Sequence, residues 1–393
     1  MIWAQRETVL ALALGIWLAG YWLADGWHHR RLLWLVALAA VLNADAMART
    51  VVRTRWLWGA AILLGWQTLT RLWAGAAVTP VASPADALAV IFLLTALAAA
   101  GRRGDTAPWL AAGLCLLSAL VASFVLPEYY LHRGQSFADN RLRNTLVYED
   151  GLNAVLTGML FMFGACGAAW FSRRADWRIR RVLWLAVLAV LVFGLLATQS
   201  RAPMLGGVAA GTVLVWFGRK RMLPAVAIGA VTTAAYFAVL LLDEQGGGEA
   251  AGDLVGRGST GRFSIYHWFF SRMQPADFLI GKGMGTATEI PEEQIGWLVY
   301  HPHSSYFTQF YLTGLIGLAL LGGVLGWAGR AALREASRRD DALWLALLAA
   351  GGTSLLFDGS HIFSLHSVPR IEFLLVAAPA ALLMGRAGNR RNG

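Results

Sequence analysis

Charge and cysteine are both scarce in this chain of 393 residues. Charged residues make up 14% and two cysteines are present, against 57% hydrophobic residues and a mean hydropathy of +0.54. A soluble domain carries nearly twice that share of charge, so a soluble enzyme and a disordered chain are excluded. Two cysteines do not make a secreted disulfide scaffold. Cys115 and Cys166 lie inside apolar runs with no partner motif and read as small packing residues. No internal repeat is visible. The first apolar run is not followed by a small-residue cleavage site ahead of a polar domain, so no cleavable signal peptide is expected.

What is present is apolar sequence in runs of about 20 residues, the length that spans a bilayer as a helix. This overrides the two or three globular units that the length alone suggests at about 150 residues each. Twelve runs stand out, over 8–25, 32–48, 56–76, 82–100, 107–126, 151–171, 180–198, 203–218, 222–242, 305–329, 341–357 and 371–386. The expected fold is an all-α polytopic membrane protein with about 12 transmembrane helices. Tryptophans at the run ends (Trp3, Trp27, Trp56, Trp109, Trp170, Trp216, Trp327) fit an interfacial aromatic belt.

The formal charge of +10 invites a nucleic-acid reading, and its placement removes it. Most of the 33 basic residues fall on every second loop, in clusters at Arg49–Arg55, Arg102–Arg103, Arg173–Arg181, Arg219–Arg221, Arg330–Arg339 and Arg386–Arg391. The positive-inside rule puts those loops and both termini in the cytoplasm, and no nucleic-acid partner is expected. The chain then divides into helices 1–5 over 1–126, an outer loop over 127–150, helices 6–9 over 151–242, a large outer loop over 243–304, and helices 10–12 with a cytoplasmic tail over 305–393. The large loop opens with a flexible linker from Gly246 to Gly261 and closes on the glycine-rich turn 281–285.

Several polar residues on the outer side have no role in setting topology. Arg201, in the short turn TQSR, is either an interfacial arginine that snorkels or a guanidinium kept to bind an anion, since charge at membrane depth costs about 2.5–3.5 kcal/mol. Arg262 follows Ser259 and Thr260, either of which can cap a helix, so a guanidinium and a helix N-terminus both attract an anion there. Arg141 and Arg143 can gather an anionic substrate or be merely solvated. The turn around Lys282, with Gly281 and Gly283, can let backbone amides approach a phosphate, but it lacks the strand–helix context of a nucleotide fold.

His303 stands at the mouth of the tenth helix, after Pro302, with Ser304 or Ser305 as N-cap. A histidine there exchanges a proton near neutral pH and suits a general base. His301, with His361 and His366 on the next outer loop, also permits zinc. No cysteine and no acidic pair at matching spacing completes a ligand set, so neither metal nor cofactor is expected. Asp358 and Arg370 are expected to pair across a cavity or to touch substrate, with Glu372 just after.

One pattern joins these residues: His303, Ser304, nine residues, Gly314, two residues, Gly317. With the long outer loop before it and the outer arginine in TQSR, it resembles the O-antigen ligase/polymerase superfamily of bacterial membrane glycosyltransferases, over about residues 180–385. The resemblance implies a GT-C-like fold in the inner membrane, with one large periplasmic loop and the active site facing the periplasm. It implies transfer of a polysaccharide from undecaprenyl pyrophosphate to a sugar hydroxyl of lipid A–core oligosaccharide. His303 would be the base and Arg201 and Arg262 the holders of the pyrophosphate. His301, Ser304, Gly281, Lys282, Gly283, Asp358, Arg370, Arg141 and Arg143 would contact substrate. Direct attack would invert the anomeric centre, because a retaining route needs a close carboxylate nucleophile. The alternatives are an O-antigen polymerase on the same lipid carrier and, in a different class, a twelve-helix secondary transporter, whose polar residues gather near mid-membrane rather than at one face.

Overall fold

In lipid, a backbone that spans must satisfy its own hydrogen bonds, so apolar runs of this length fold as helices. A computed structural model describes residues 2–75, 81–103, 105–137, 140–147, 152–244, 262–296, 298–365 and 370–389, and a helix occupies each of the twelve runs. The first five runs carry α1 (Ile2–Leu23), α2 (Gly26–Arg31), α3 (Leu33–Leu42), α4 (Ala44–Arg53), α5 (Arg55–Thr70), α6 (Pro84–Gly101) and α7 (Thr106–Pro127). Next come α8 (Ala154–Arg174), α9 (Arg178–Ala197), α10 (Arg201–Gly218) and α11 (Leu223–Glu244). The large loop holds α12 (Arg262–Ser271), α13 (Pro275–Ile280) and α14 (Glu292–Ile295), and the chain continues through α15 (Ser305–Arg339), α16 (Leu343–Phe357) and α17 (Ala378–Asn389). Among the described residues there is no strand, and pairing is limited to the bridges Asn144–Leu152 and Ile290–Val299.

Among the described residues five helices are long and apolar enough to cross a membrane: Pro84–Gly101, Thr106–His132, Ala154–Arg174, Arg178–Ala197 and Ser305–Arg339. A sixth arises if Gly26–Leu42 and Ala44–Arg53 form one broken span. That pair corrects the straight run expected over 32–48, because the chain turns by 87° at Asn43. Asn43 leaves helical geometry, and its side-chain amide donates to Arg6 O at 2.9 Å and Ala39 O at 2.8 Å. The segment after it, ADAMARTVVR, carries an acid and two arginines that an apolar span would have to bury.

Burial separates the centre of the bundle from its rim. The most apolar stretch of α8 is 83% buried and that of α9 only 22%. The central helix is apolar all round and rich in small residues, so neighbours approach closely: Gly158 meets Thr198 and Pro203, and Gly164 meets Ser118. On α9 the large side chains of Ile179, Val182 and Leu183 are exposed, which suits contact with lipid and not with water. The aromatic belt is partly corrected. Trp27, Trp109, Trp216 and Trp327 are exposed, whereas Trp56 and Trp170 are buried. Trp56 faces inward because its indole N–H finds Val324 O at 3.0 Å, and its neighbour Trp58 takes the exposed position.

The large loop builds a second, smaller hydrophobic core outside the bundle. Ile265, Phe269, Met284, Ile290 and Val299 close over Tyr311 and Leu312 of α15, with Val81 and Ala82 from the segment before α6. The glycine linker 246–261, with the candidate caps Ser259 and Thr260, lies outside the described residues, as do His366, Arg390 and Arg391.

Candidate functional site

α15 starts at the site. Ser304 is its N-cap, accepting from Phe307 N, and Ser304 is buried. The cap sets the polarity of the turn before it, where His303 adopts a left-handed backbone with φ of 55°. Residues other than glycine reach that region at a cost and hold it only where their surroundings fix it. Here the fixing contacts are visible. His303 N donates to His301 Nδ1 at 3.2 Å, the two rings lie 4.5 Å apart, and His303 Nδ1 meets Asp358 Oδ1 at 3.2 Å.

Asp358 comes from the C-cap of α16, in extended geometry, and Gly359 N donates to the same carboxylate oxygen at 2.8 Å. Burial opposes ionisation of Asp358, but the hydrogen bond from His303, the electrostatic influence of the two imidazoles and the Gly359 amide together hold its carboxyl below the usual carboxylate range. An ionised carboxylate is acceptor-only, so the proton of a neutral His303 sits on Nδ1 and Nε2 keeps its lone pair. The His303 side chain is 40% exposed against 17% for Asp358, so the histidine is the reachable member of the pair. His301 behaves differently: burial, with the neighbouring His303 and Arg370 charges outweighing Asp358, lowers it to about 4, and it stays neutral.

The pair lines a cavity of about 350 Å³. The expected Asp358–Arg370 pair is corrected, since Asp358 pairs with His303. Arg370 instead donates to the Ser360 hydroxyl, and its Nε is buried with no hydrogen-bond partner. Glu372 accepts from Ser360 N at 2.7 Å, which fixes the same loop. Arg370 lies close enough to His361 to reinforce what burial does there, holding that histidine well below its ordinary value. Tyr21, His29 and Asn153, from the first helices and the start of α8, also line the cavity and were not singled out from sequence. Their only signal was polarity at the outer ends of apolar runs.

The other predicted arginines are not among the described residues that line this cavity. Arg262 opens α12, and its guanidinium donates to Phe357 O at 2.8 Å, one residue before Asp358. Burial raises the Tyr266 hydroxyl; the Arg262 charge and a Ser304 hydrogen bond oppose this and the Asp358 charge assists it, which gathers all three about one phenol. Arg201 is exposed at the first position of α10, after a turn in which Gln199 has φ of 47°. Arg141 fastens that turn, donating to Thr198 O at 3.1 Å and Ser200 Oγ at 2.7 Å, while Arg143 is exposed.

The glycine turn has a different use from the one expected. Inside α15, Gly314 has φ of 65° and ψ of −170°, which breaks the helix and frees carbonyls. Lys282 N donates to Tyr311 O and Gly283 N to Leu312 O, both at 2.9 Å, and the Trp66 indole donates to Thr313 O at 3.0 Å. A side chain on Gly314 would overlap the Leu279 carbonyl, and one on Gly281 would overlap the backbone of Leu312. The amides expected to approach a phosphate therefore dock the loop onto the helix break. Lys282 pairs with Asp277 at 2.6 Å.

His301, His303 and Asp358 can each offer a metal-ligand atom, all within 4.8 Å of one another. His301 Nδ1, His303 Nδ1 and Asp358 Oδ1 already hydrogen-bond inside the cluster, while a catalytic zinc site takes three protein ligands with water as the fourth. The hydrogen bonds assemble the set as a relay, and the same three residues supply the ligand types of a three-ligand metal site.

No curated protein matches the chain. The family described as O-antigen ligase matches residues 185–322, which takes in Arg201, Arg262, the turn 281–283, His303 and Gly314. Asp358, Arg370 and Glu372 lie beyond that stretch, so the pairing of Asp358 with His303 rests on geometry alone. Over residues 185–322 the chain matches the O-antigen ligase family, in agreement with the superfamily of ligases and polymerases that its histidine–glycine pattern resembles.

Proposed function

We propose that this protein is a membrane glycosyltransferase that moves a completed O-antigen polysaccharide from undecaprenyl pyrophosphate to a sugar hydroxyl of lipid A–core oligosaccharide, at the periplasmic face of the bacterial inner membrane. The observation that carries the reading is the His303–Asp358 pair lining a cavity that Arg370 also lines, with Arg262 bonded to Phe357 O one residue before Asp358. Nε2 of His303 takes the proton of the acceptor hydroxyl. The oxygen forms its bond to the anomeric carbon as the bond from that carbon to the pyrophosphate oxygen breaks, and the lipid pyrophosphate leaves with the electron pair. The leaving group is already a stabilised anion, so no general acid is needed. What is needed is positive charge where negative charge grows. Arg370 supplies it inside the cavity, and Arg262 and Arg201 supply it at the rim. Asp358 orients the imidazole and stabilises the imidazolium. Attack on one face with departure from the other inverts the centre, and the step needs no metal.

Gel analysis of lipopolysaccharide in a deletion strain tests the reading. Rough lipopolysaccharide with polymerised, carrier-linked glycan is expected; a single repeat unit on the core would instead make the protein a polymerase. Restoring the strain with His303→Ala should return no full-length O-antigen, because loss of a positioned base costs about a hundred- to ten-thousand-fold. Full-length O-antigen from that variant would end the mechanism. Purified protein with donor and acceptor should turn over in the presence of a chelator, and a strict metal requirement would revive the ligand set His301, His303 and Asp358.

A further inference from the structure

α8 begins beside Asn153, in the histidine cavity, and ends at Arg174. At 1.5 Å per residue its 21 residues carry the chain about 31 Å, the thickness of a bilayer's hydrocarbon core. A second cavity, of about 560 Å³, lies at that far end. Its ionisable lining is Arg173, Arg174, Arg181 and Arg221 against Asp176 and Asp340, an excess of two positive charges.

The four guanidiniums are held in different ways. Arg173 is an ion-pair partner of Asp340, and its side chain is only 3% exposed; its Nε is buried and has no hydrogen-bond partner. Arg181 donates to Arg221 O at 3.2 Å, which sets the α9 and α11 ends of the cavity side by side. Arg174 lies 5.1 Å from the Trp170 ring centre and is exposed, as is Arg221. Neither has an ion-pair partner among the described residues. α9 starts in the same place, and its N-cap Trp177 provides no side-chain acceptor, so the first amides of a 20-residue helix add to the positive potential. Beside the arginines, Trp177, Ile179, Val182 and Leu183 form an exposed apolar flank.

Loop arginines that serve only to orient the chain have no reason to converge. Arg330, Arg334 and Arg338 on α15 are exposed and stand outside the cavity. We propose that the Arg173–Arg174–Arg181–Arg221 cavity is a phosphate-binding site on the face opposite the histidine cavity. Its chemistry suits the phosphodiester of an acidic phospholipid headgroup whose chains lie along the apolar flank, or a small soluble phosphate ester. A buried donor with nothing to donate to, unpaired guanidiniums and helix amides all call for acceptor oxygens, and the phosphate supplies several at once.

Native mass spectrometry of the full-length protein in detergent tests this with cardiolipin, phosphatidylcholine and glycerol 3-phosphate as probes. Cardiolipin should be retained and phosphatidylcholine not. R174Q/R221Q should weaken retention roughly tenfold, while R330Q/R334Q, with the same loss of charge, changes it much less. D176N adds net positive charge to the cavity and should tighten binding about threefold, which tests the site even if the double variant does not fold. Displacement of the lipid by millimolar glycerol 3-phosphate, with binding of that ester alone, assigns the site to a soluble phosphate; no displacement assigns it to the lipid. Equal losses in the two double variants, or no binding of either phosphate probe to the wild-type protein, overturn the proposal.

Discussion

The two ends of α8 open into two cavities that both contain arginine and aspartate, and they are built on opposite plans. At the histidine end the polar groups are matched to one another: His303 to Asp358, His303 N to His301, Ser360 to Glu372 and to Arg370. At the arginine end guanidiniums outnumber carboxylates, whereas the histidine end sets Arg370 against Asp358 and Glu372; a buried, unpartnered Nε occurs at both ends, on Arg173 and on Arg370. Matched groups fix a geometry and a protonation state, which is what proton transfer requires. Unmatched cations hold a potential, which attracts an anion and does nothing to its bonds. Residue type alone does not separate the two plans, because arginine and aspartate serve both.

The largest break in that comparison comes from Asp358→Asn. The amide is isosteric but cannot stabilise an imidazolium, and it can present its NH₂ to Nδ1 and force the wrong tautomer on His303. Transfer by the purified protein should fall roughly a hundredfold or more, in kcat, with the KM for the lipid-linked donor changed by less than about threefold. A loss confined to KM would make Asp358 a substrate contact and dissolve the relay.

Gly314→Ala separates the chemistry of the histidine–glycine pattern from its architecture. A Cβ there would meet the Leu279 carbonyl on a backbone with φ of 65°, at a cost on the order of 1–3 kcal/mol before any overlap is relaxed. The variant should melt earlier and expose the 262–304 region to limited proteolysis, while cardiolipin retention at the arginine end is unchanged. His303→Ala should show neither effect, since its side chain is substantially exposed. Equal melting and protease resistance in Gly314→Ala and wild type would mean the loop does not rely on the helix break.

That contrast also marks how far the sequence could be read. The helices were legible because apolar runs of bilayer length leave the backbone one solution, and a helix stands on every run expected. His303 and the Ser304 cap were legible because capping is local. The 87° turn at Asn43 was not, since it depends on a side-chain amide finding Arg6 O across 37 residues. The partner of Asp358 was misassigned for the same kind of reason. Arg370 is nearer in sequence, but the fold brings the start of α15 and the end of α16 together across 55 residues. Glycines 281 and 283 looked like a phosphate cradle because free amides and docked amides read identically in one dimension.

Acid should loosen the histidine end. His301, at about 4 in the folded protein, takes a proton more readily unfolded, where histidine titrates near 6.5. Its contribution is therefore constant above about 6.5, declines as pH falls from there to about 4, and then levels off, for a total on the order of 3 kcal/mol. His361 acts in the same direction. Asp358, held low, stabilises the fold above the ordinary carboxylate range, and that stability is lost as pH falls through its folded value. Melting in detergent should drop between pH 7 and pH 4.5, and His301→Gln should flatten the upper part of that slope. An unchanged slope in His301→Gln would place the acid sensitivity elsewhere.

The smallest expected effect bears on the glycine turn. Lys282 pairs with Asp277 at 2.6 Å, both partly exposed, and its own amide docks on Tyr311 O. Such a pair contributes about 0–1 kcal/mol, so Lys282→Gln should leave melting nearly unchanged and alter kcat/KM for the lipid-linked donor by less than about threefold. A lysine that left Asp277 to meet the donor pyrophosphate would behave otherwise: its removal would cost a charge-assisted hydrogen bond of roughly 1.5–3 kcal/mol, a ten- to hundredfold loss. A loss of that size would move the turn from the architecture of the histidine end into its chemistry, and the matched plan of that cavity would have to admit one mobile cation.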